Sequence, residues 1–562
     1  MKKIICALFL TLAFFTGISS SVDVNWGVEN NYLKNQRNQN IIGETEGHLF
    51  TFNNRPRGLF RKASFSFLKF NKKDFKLEKT VTVQLPKKKG KMLYFNSSMM
   101  IGNQIMFLYN SLDKKTKKIT LIGQKVSQDG KVENKTIEFG NVDAIGGRFF
   151  GRNIGGIQTV LNDSRDKFLV VKHIPRPNRN AKERIHLSVF DEKVSKSWGA
   201  DFEIPYTDRN FIIYKTMLDE KGNAYVLGKK FMEKKKVKKN GKVKVKRKLG
   251  LFSKNVNYEF AILYYDAKTK KLKDYKVNLK DKHIIDIDLK VNDKESIVCG
   301  GFYFPKGVQW VPNVKGTFFA RINRESGEIN GQSAKEFDDK FLNVIRDGKV
   351  YSWYWTDLGL MWNEFTRGKD VTKKGGLKNV RMTDFEIRKD GSAVIVGEGY
   401  RVVEIEDKEG NVNKRFYYYD DIIVVNVEPE GNISWYARVP KKQISVNDGG
   451  YYSSYFMKVN GDDVYFVFND RRSNNNRIKK GKNAAYLKYP KRASTTLVKL
   501  DRKGQMERKK LFTNKDLDLS LVPKESRNYQ NYQSGISIMY GLDYKWYHVF
   551  GGAKYRYGSV KL

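Results

Sequence analysis

The feature that most constrains this chain is a repeated pair of hairpins. One hairpin joins two strand-like runs across a tight turn that often carries Asp or Asn with Gly. Its copies are Leu121 to Phe139, Ile262 to Leu279, Phe318 to Phe337, Ile422 to Val439 and Thr496 to Phe512, with looser copies at Phe65 to Leu85 and Ile185 to Ile204. A second hairpin precedes each: Ile157 to His173, Ile212 to Lys230, Ile285 to Tyr303, Met382 to Tyr400 and Tyr455 to Asp470, and less regularly Ile41 to Asn53 and Asn96 to Asn110. Alternation of apolar and polar residues, rich in β-branched and aromatic types, argues strand throughout. No long stripe of period 3.6 competes with it.

Each unit is therefore four antiparallel strands, A to D. Units start near Ile41, Leu93, Gly155, Asn210, His283, Val380 and Gly450. Repeated four-stranded sheets are the parts of a β-propeller. A string of β-sandwiches would need linkers, which are not found, and solenoid coils are usually shorter. The C-terminal stretch Ser534 to Leu562 holds two or three strands but no full unit, and Val22 to Leu33 holds one. Together they make a composite blade that closes the ring and protects its edges. The expectation is an all-β propeller of about eight four-stranded blades, with seven as the alternative. Residues 338–379 are a degenerate blade or an insertion, in which the run from Leu342 reads as an A–B strand pair.

The D-x-x-G turns and the second strand Gly222-Asn223-Ala224-Tyr225-Val226-Leu227-Gly228 resemble secreted bacterial β-propellers of the Kelch, quinoprotein and lactonase-like kind. The resemblance covers most of residues 40–560 and implies fold more than function.

The N-terminus reads as a bacterial secretory signal over 1–21. Lys2 and Lys3 form the basic region, Ile4 to Phe15 the apolar core, and Gly17 to Ser21 the small residues for cleavage. The expected mature protein is a single domain, 22–562, that is exported to the periplasm, the outer surface or the medium, with no transmembrane segment left. Cys299 is then the one remaining cysteine, so an intrachain disulfide is excluded, and its apolar setting predicts a buried thiol.

Charge is the other strong signal. Lys+Arg number 106 against 61 Asp+Glu, a net charge of +45. Such a charge attracts polyanions. It is concentrated in the connections between strands B and C, which emerge together on one face of a propeller. The densest is 229–254, a protruding hairpin turned by Asn240-Gly241, in which Lys238 should face Val243. Its anion-binding candidates are Lys234, Lys235, Lys236, Lys238, Lys239, Lys242, Lys244, Lys246, Arg247 and Lys248. The seventh connection adds Arg471, Arg472, Arg477, Lys479, Lys480, Lys482, Lys491 and Arg492, with no acidic residue among them. The sixth is mixed, carrying Glu404, Glu406 and Glu409. Trp310, Tyr486 and Tyr489 are placed to stack on sugar rings or bases. The short A–B turns on the opposite face lack this enrichment.

Catalytic chemistry has less support. Five scattered histidines give no zinc spacing; His173 and His186 fall on strands B and C of one unit. No G-x-S-x-G elbow, phosphate loop or H-E-x-x-H motif occurs. Asp286 and Asp288 alternate on a strand A and share a face toward the channel, where they could hold Ca²⁺ or act as acid and base. No other cofactor is implied. Three functions remain: a non-enzymatic binding or scaffold propeller that engages an anionic polysaccharide, a cell-envelope surface or a protein partner; a carbohydrate-active or lactone-type enzyme with a carboxylate-lined channel; and extracellular nucleic-acid binding.

Overall fold

The computed structural model describes residues 22–31, 37–55, 64–83, 91–143, 156–174, 180–207, 210–231, 238–239, 242–243, 258–291, 296–306, 313–346, 377, 379–407, 409, 411–527, 536–543 and 554–562. The 1–21 leader, Trp310, and all of the Lys arm except 229–231, 238–239 and 242–243 lie outside them.

Among the described residues eight antiparallel sheets of four or five strands follow one another along the chain, and the first seven keep their four main strands in sequence order. Their first strands begin at Arg37, Lys91, Ile157, Phe211, Lys282, Val380, Phe456 and Ser520. The eighth sheet is composite. Ser520–Leu521, Ile536–Asp543 and Lys554–Lys561 are joined by the N-terminal strand Val24–Trp26, with Val24 opposite Val560.

Eight apolar seams close the ring. Each draws its buried residues from two successive sheets, and the last returns from sheet 8 to sheet 1 through Tyr540, Tyr555 and Tyr557 packed on Leu68 and Phe70. The sheets are therefore blades, and the chain is an eight-bladed β-propeller, as the repeat predicts. The seam between blades 1 and 2 shows what holds such a ring. Phe52 stacks on Phe95 at 4.3 Å and on Phe65 at 5.6 Å. Phe107 lies 5.1 Å from Phe52. Emptying one such position costs roughly 3–5 kcal/mol.

The turns explain why the repeat was visible. Gly130, Gly222, Gly327, Gly391, Gly431 and Gly504 all take φ between +75 and +94°, which an L side chain resists. An acidic side chain often caps the turn beside them. Asp219 Oδ1 accepts the N–H of Lys221 at 3.0 Å and of Asn223 at 2.8 Å. Asp501 Oδ1 accepts those of Lys503 at 2.9 Å and Gln505 at 2.8 Å. The short A–B and C–D turns share one face of the ring, and every B–C connection leaves the other.

First strands of blades 1 and 2, 3 and 4, and 5 and 6 lie side by side around the axis. Five of them carry a β-bulge, between Ile41 and Gly43, Phe95 and Ser97, Ile213 and Lys215, Ile284 and Asp286, and Met382 and Asp384. A bulge re-aims the side chains beside it; Tyr214 and Lys215 of blade 4 meet Asp286 and Asp288 of blade 5, and Thr383 of blade 6 meets Tyr455 of blade 7.

Two expectations change. The run from Leu342 does not open a strand: Asp339–Arg346 is a helix, capped where Asp338 Oδ1 accepts the Phe341 N–H at 2.8 Å. Leu342, on this helix, is buried, and Phe341 packs on Tyr436. The described part of 338–376 adds no strand to any blade; 347–376 and 378 lie outside the described residues. Glu404 and Glu406 are not in a connection either. They belong to strand B of blade 6, Ala393–Glu406, which pairs with an equally extended strand C, Val412–Val427. Cys299 is fully buried, as expected, and burial pushes its thiol far above the usual range.

Candidate functional site

Two arcs of the channel and one outer platform hold the polar chemistry of the ring. The first arc lies on strands A of blades 4 and 5, Phe211–Leu218 and Lys282–Val291. Asp286 and Asp288 share a face there, both are half-buried, and each has partners. Tyr214 donates its hydroxyl to Asp286 Oδ1 at 2.6 Å, and the Met382 N–H donates to Asp286 Oδ2 at 2.9 Å. Lys215 is ion-paired with Asp288. Both carboxylates thus tie blade 5 to its neighbours, because the bulges at Tyr214 and Ile285 set them within reach.

The second arc gathers residues from blades 6, 7 and 8 that are distant in sequence. Glu398, at the end of the apolar part of strand B, is fully buried, as is Lys441, whose Nζ lies 2.9 Å from Glu398 Oε1. Ser454 Oγ donates to Glu398 Oε2 at 2.9 Å, and Arg381 Nη2 lies 3.5 Å from the same oxygen. Burial opposes the Glu398 charge. Lys441, Arg527 and Arg381 outweigh it and hold the carboxyl below the usual range.

Arg527 comes from a short helix, Pro523–Arg527, which follows the two-residue strand A of blade 8. It donates to Ser454 Oγ at 3.2 Å, approaches Asp384 Oδ2 at 3.9 Å and lies 4.4 Å over the Tyr455 ring. Tyr455 in turn donates to Asp384 at 2.6 Å. Lys524, on the same helix, donates to the Tyr419 hydroxyl at 2.6 Å and to the Gly449 carbonyl at 2.9 Å. Arg381 stacks on Tyr400 at 3.8 Å and stands 5.5 Å from Tyr419, while Lys524 stands 4.6 Å from that ring. Burial, joined by the charges of Arg381 and Arg527, lowers the Lys524 ammonium to about 8. Burial also raises the neighbouring Glu525 carboxyl to about 7.

The platform is the seventh B–C connection. It is not a loose loop. A helix, Asn474–Lys479, opens it, and the buried Asn474 side chain donates to Asp470 at 2.7 Å and accepts the Ala485 N–H at 2.8 Å. Leu487 then pairs its backbone with blade 6, donating to Lys442 O at 2.8 Å and accepting from Ile444 at 3.0 Å. Arg508 holds Asn475 Oδ1 at 2.7 Å. The result is a fixed ledge with Arg471, Arg472, Lys479, Lys480 and Lys482 exposed. None of these five enters an ion pair among the described residues. Arg477 instead donates to Asn483 O at 3.0 Å, and Lys491 pairs with Asp518 at 2.9 Å. Tyr489 is exposed, with Arg492 5.5 Å from its ring.

Tyr486 departs from expectation. Its hydroxyl donates to Asp420 at 3.0 Å and its ring meets Tyr418 edge-on, so it is packed into the ledge rather than presented for stacking. In the Lys arm the described register is Lys238 opposite Val243 and Lys239 opposite Lys242.

His173 and His186 do not converge. His173 Nδ1 lies 3.1 Å from Glu183. His186 bridges Asp201 and Ser188, the latter at 2.8 Å. That row has the order of a nucleophilic triad, but Ser188 is 2% exposed, so a substrate carbonyl has no approach. It serves as a cross-strand brace between strands C and D of blade 3, where His186 and Asp201 are register partners. No group of three or more His, Cys, Asp or Glu suited to a metal ion occurs among the described residues.

No family model matches the chain, and no curated protein does. Solved structures similar to it are distant. The β-propeller domain of the Trilobed protease from Pyrococcus furiosus matches with 10% identity and a TM-score of 0.33, over 87% of this chain and 98% of that one. The WD40 domain of SCAP from fission yeast matches with 7% identity and a TM-score of 0.34, over 94% and 96%. A polysaccharide lyase of family PL25, an ulvan lyase, matches with 8% identity and a TM-score of 0.33, over 82% and 90%.

Proposed function

We propose that the protein is an exported binding propeller whose B–C face engages an acidic polysaccharide of the cell envelope or its surroundings. The observation that carries this reading is the ledge of blade 7. Five exposed cations stand on backbone fixed by Asn474, Leu487 and Arg508, and they lack acidic partners among the described residues. Fixed cations lose little entropy on binding, which distinguishes them from charges on free loops. The Lys arm of blade 4 leaves the same face and adds to the field.

Heparin affinity chromatography tests the reading. Replacing Arg471, Arg472, Lys479, Lys480 and Lys482 with Glu lowers the eluting salt concentration, and so does deleting Lys234 to Lys248 with a short Gly closure, since each neutralised anion adds to a salt-dependent attraction. Reversing Lys389, in an A–B turn of the opposite face, changes elution little. Equal losses from both faces would reduce the effect to net charge. Tighter retention on DNA than on heparin at matched salt would favour nucleic acid instead.

A further inference from the structure

We infer that the channel mouth formed by blades 6, 7 and 8 is a discrete oxyanion site, in which Arg381, Lys524 and Arg527 hold one carboxylate- or sulfate-bearing group. This site is separate from the basic ledge. It would take a single small acid rather than a polymer chain.

The argument starts from crowding. Arg381 and Lys524 approach the same Tyr419 ring, at 5.5 and 4.6 Å, from different blades. Arg527 adds a third positive charge from the helix that carries Lys524, and Lys441 a fourth from beneath. The carboxylates facing them are Glu398, which Lys441, Arg381 and Ser454 share, and Asp384, which Tyr455 and Arg527 share, so four cations meet two carboxylates. Asp448 lies on an exposed turn, and Glu525 is the acid next along the helix. Like charges drawn this close out of water repel strongly unless an anion sits among them.

The donors point the same way. The Nε–H groups of Arg381 and Arg527 are both buried and meet no acceptor, although the terminal nitrogens of each are engaged. A buried guanidinium donor left without an acceptor is costly. Two of them, from two blades, belong to the same cluster of cations. The Tyr400 and Tyr455 rings, 3.8 and 4.4 Å from the two guanidinium groups, hold them in plane. The Arg381 side chain is 40% exposed, so the site reaches solvent.

Isothermal titration of the full mature chain with D-glucuronate, sodium sulfate and D-glucose tests this. Glucuronate or sulfate gives a saturable single-site isotherm and glucose gives none; which acid binds tells a sugar carboxylate from a free inorganic anion. Arg381→Gln and Lys524→Met each weaken binding by about tenfold, the usual loss of one charge-assisted hydrogen bond. An anion beside Lys524 favours its charged form, so binding at pH 8 takes up protons, read as a dependence of the heat on buffer ionisation enthalpy. The part of that uptake that belongs to Lys524 is lost in Lys524→Met, while Glu525 keeps its own. Lys524→Arg, which keeps the charge, retains affinity without that part and controls for misfolding. The five-Glu ledge variant loses heparin retention but keeps this site, so failure here and failure of the polysaccharide reading are distinguishable. Two results overturn the inference: absence of a saturable isotherm with either acid, or affinity unchanged in both single variants.

Discussion

The two arcs of the channel use one device to different ends. On blades 4 and 5 a bulge in strand A brings Tyr214, Lys215, Asp286 and Asp288 together, and each carboxylate meets its own partner. On blades 6 to 8 a bulge in strand A of blade 6 and a helix in blade 8 bring four cations around two carboxylates. The first arc is a balanced seam between neighbours. The second is unbalanced and more deeply buried. Balance locates stability, and imbalance locates a site that still needs a ligand.

Breaking the buried pair is the severest test of the contrast. Lys441→Met removes the buried cation nearest the Glu398 carboxylate, leaving Ser454 and Arg381, and is expected to cost about 3 kcal/mol in urea unfolding. Lys215→Met removes a pair whose side chains are 38% and 26% exposed, and is expected to cost about 1 kcal/mol or less. Similar losses at the two positions would erase the distinction between the arcs.

Next in size is the pH response of Glu525. Its carboxyl is raised from 4.5 to about 7 in the folded protein, chiefly by burial. The folded state therefore binds more protons than the unfolded state between these values, and stability falls as pH rises through that window. Glu525→Gln removes the penalty. It is expected to stabilise at pH 8 by on the order of 2 kcal/mol and to do nothing at pH 4, as read from unfolding midpoints at the two pH values. An equal gain at both would point to packing rather than charge.

On the balanced arc, replacing both Asp286 and Asp288 with Asn leaves hydrogen-bond acceptors but removes the charge that holds Lys215. A loss of about 1–2 kcal/mol is expected in the same assay. The alternating sequence alone puts these carboxylates on the channel face and does not reveal their partners on the neighbouring blades.

That difference marks the boundary of what the sequence conveys. Period-2 strands and glycines that must take positive φ are local signals, so the blades, their starting points and the closure by Val24–Trp26 could all be read. The second arc could not. Arg381, Glu398, Lys441, Ser454, Lys524 and Arg527 come from three blades and meet only once the ring closes. The helix that carries the last two is five residues long, too short to show a period. The run Val402-Val403-Glu404-Ile405-Glu406 did hold a strand signal, an alternation obscured by its acidic residues. For the ledge, the basic composition was plain, but Asn474 and Leu487 gave no hint that they would fix it in place.

The smallest effect on stability belongs to the ledge. Arg471, Arg472, Lys479, Lys480 and Lys482 are exposed and enter no ion pair among the described residues, so little of the fold depends on their charge. Changing all five to Glu is expected to move stability by no more than about 0.5 kcal/mol per site, and upward if anything, because the net charge of +45 falls. Truncating Asn474 to Ala is the informative partner. It leaves every cation in place but removes the side chain that accepts from Ala485 and donates to Asp470. If rigidity is what makes the ledge a binding surface, Asn474→Ala lowers heparin retention without any change of charge. If retention follows charge alone, Asn474→Ala elutes with the wild type, and blade 7 is then no different in kind from the lysine-rich arm of blade 4.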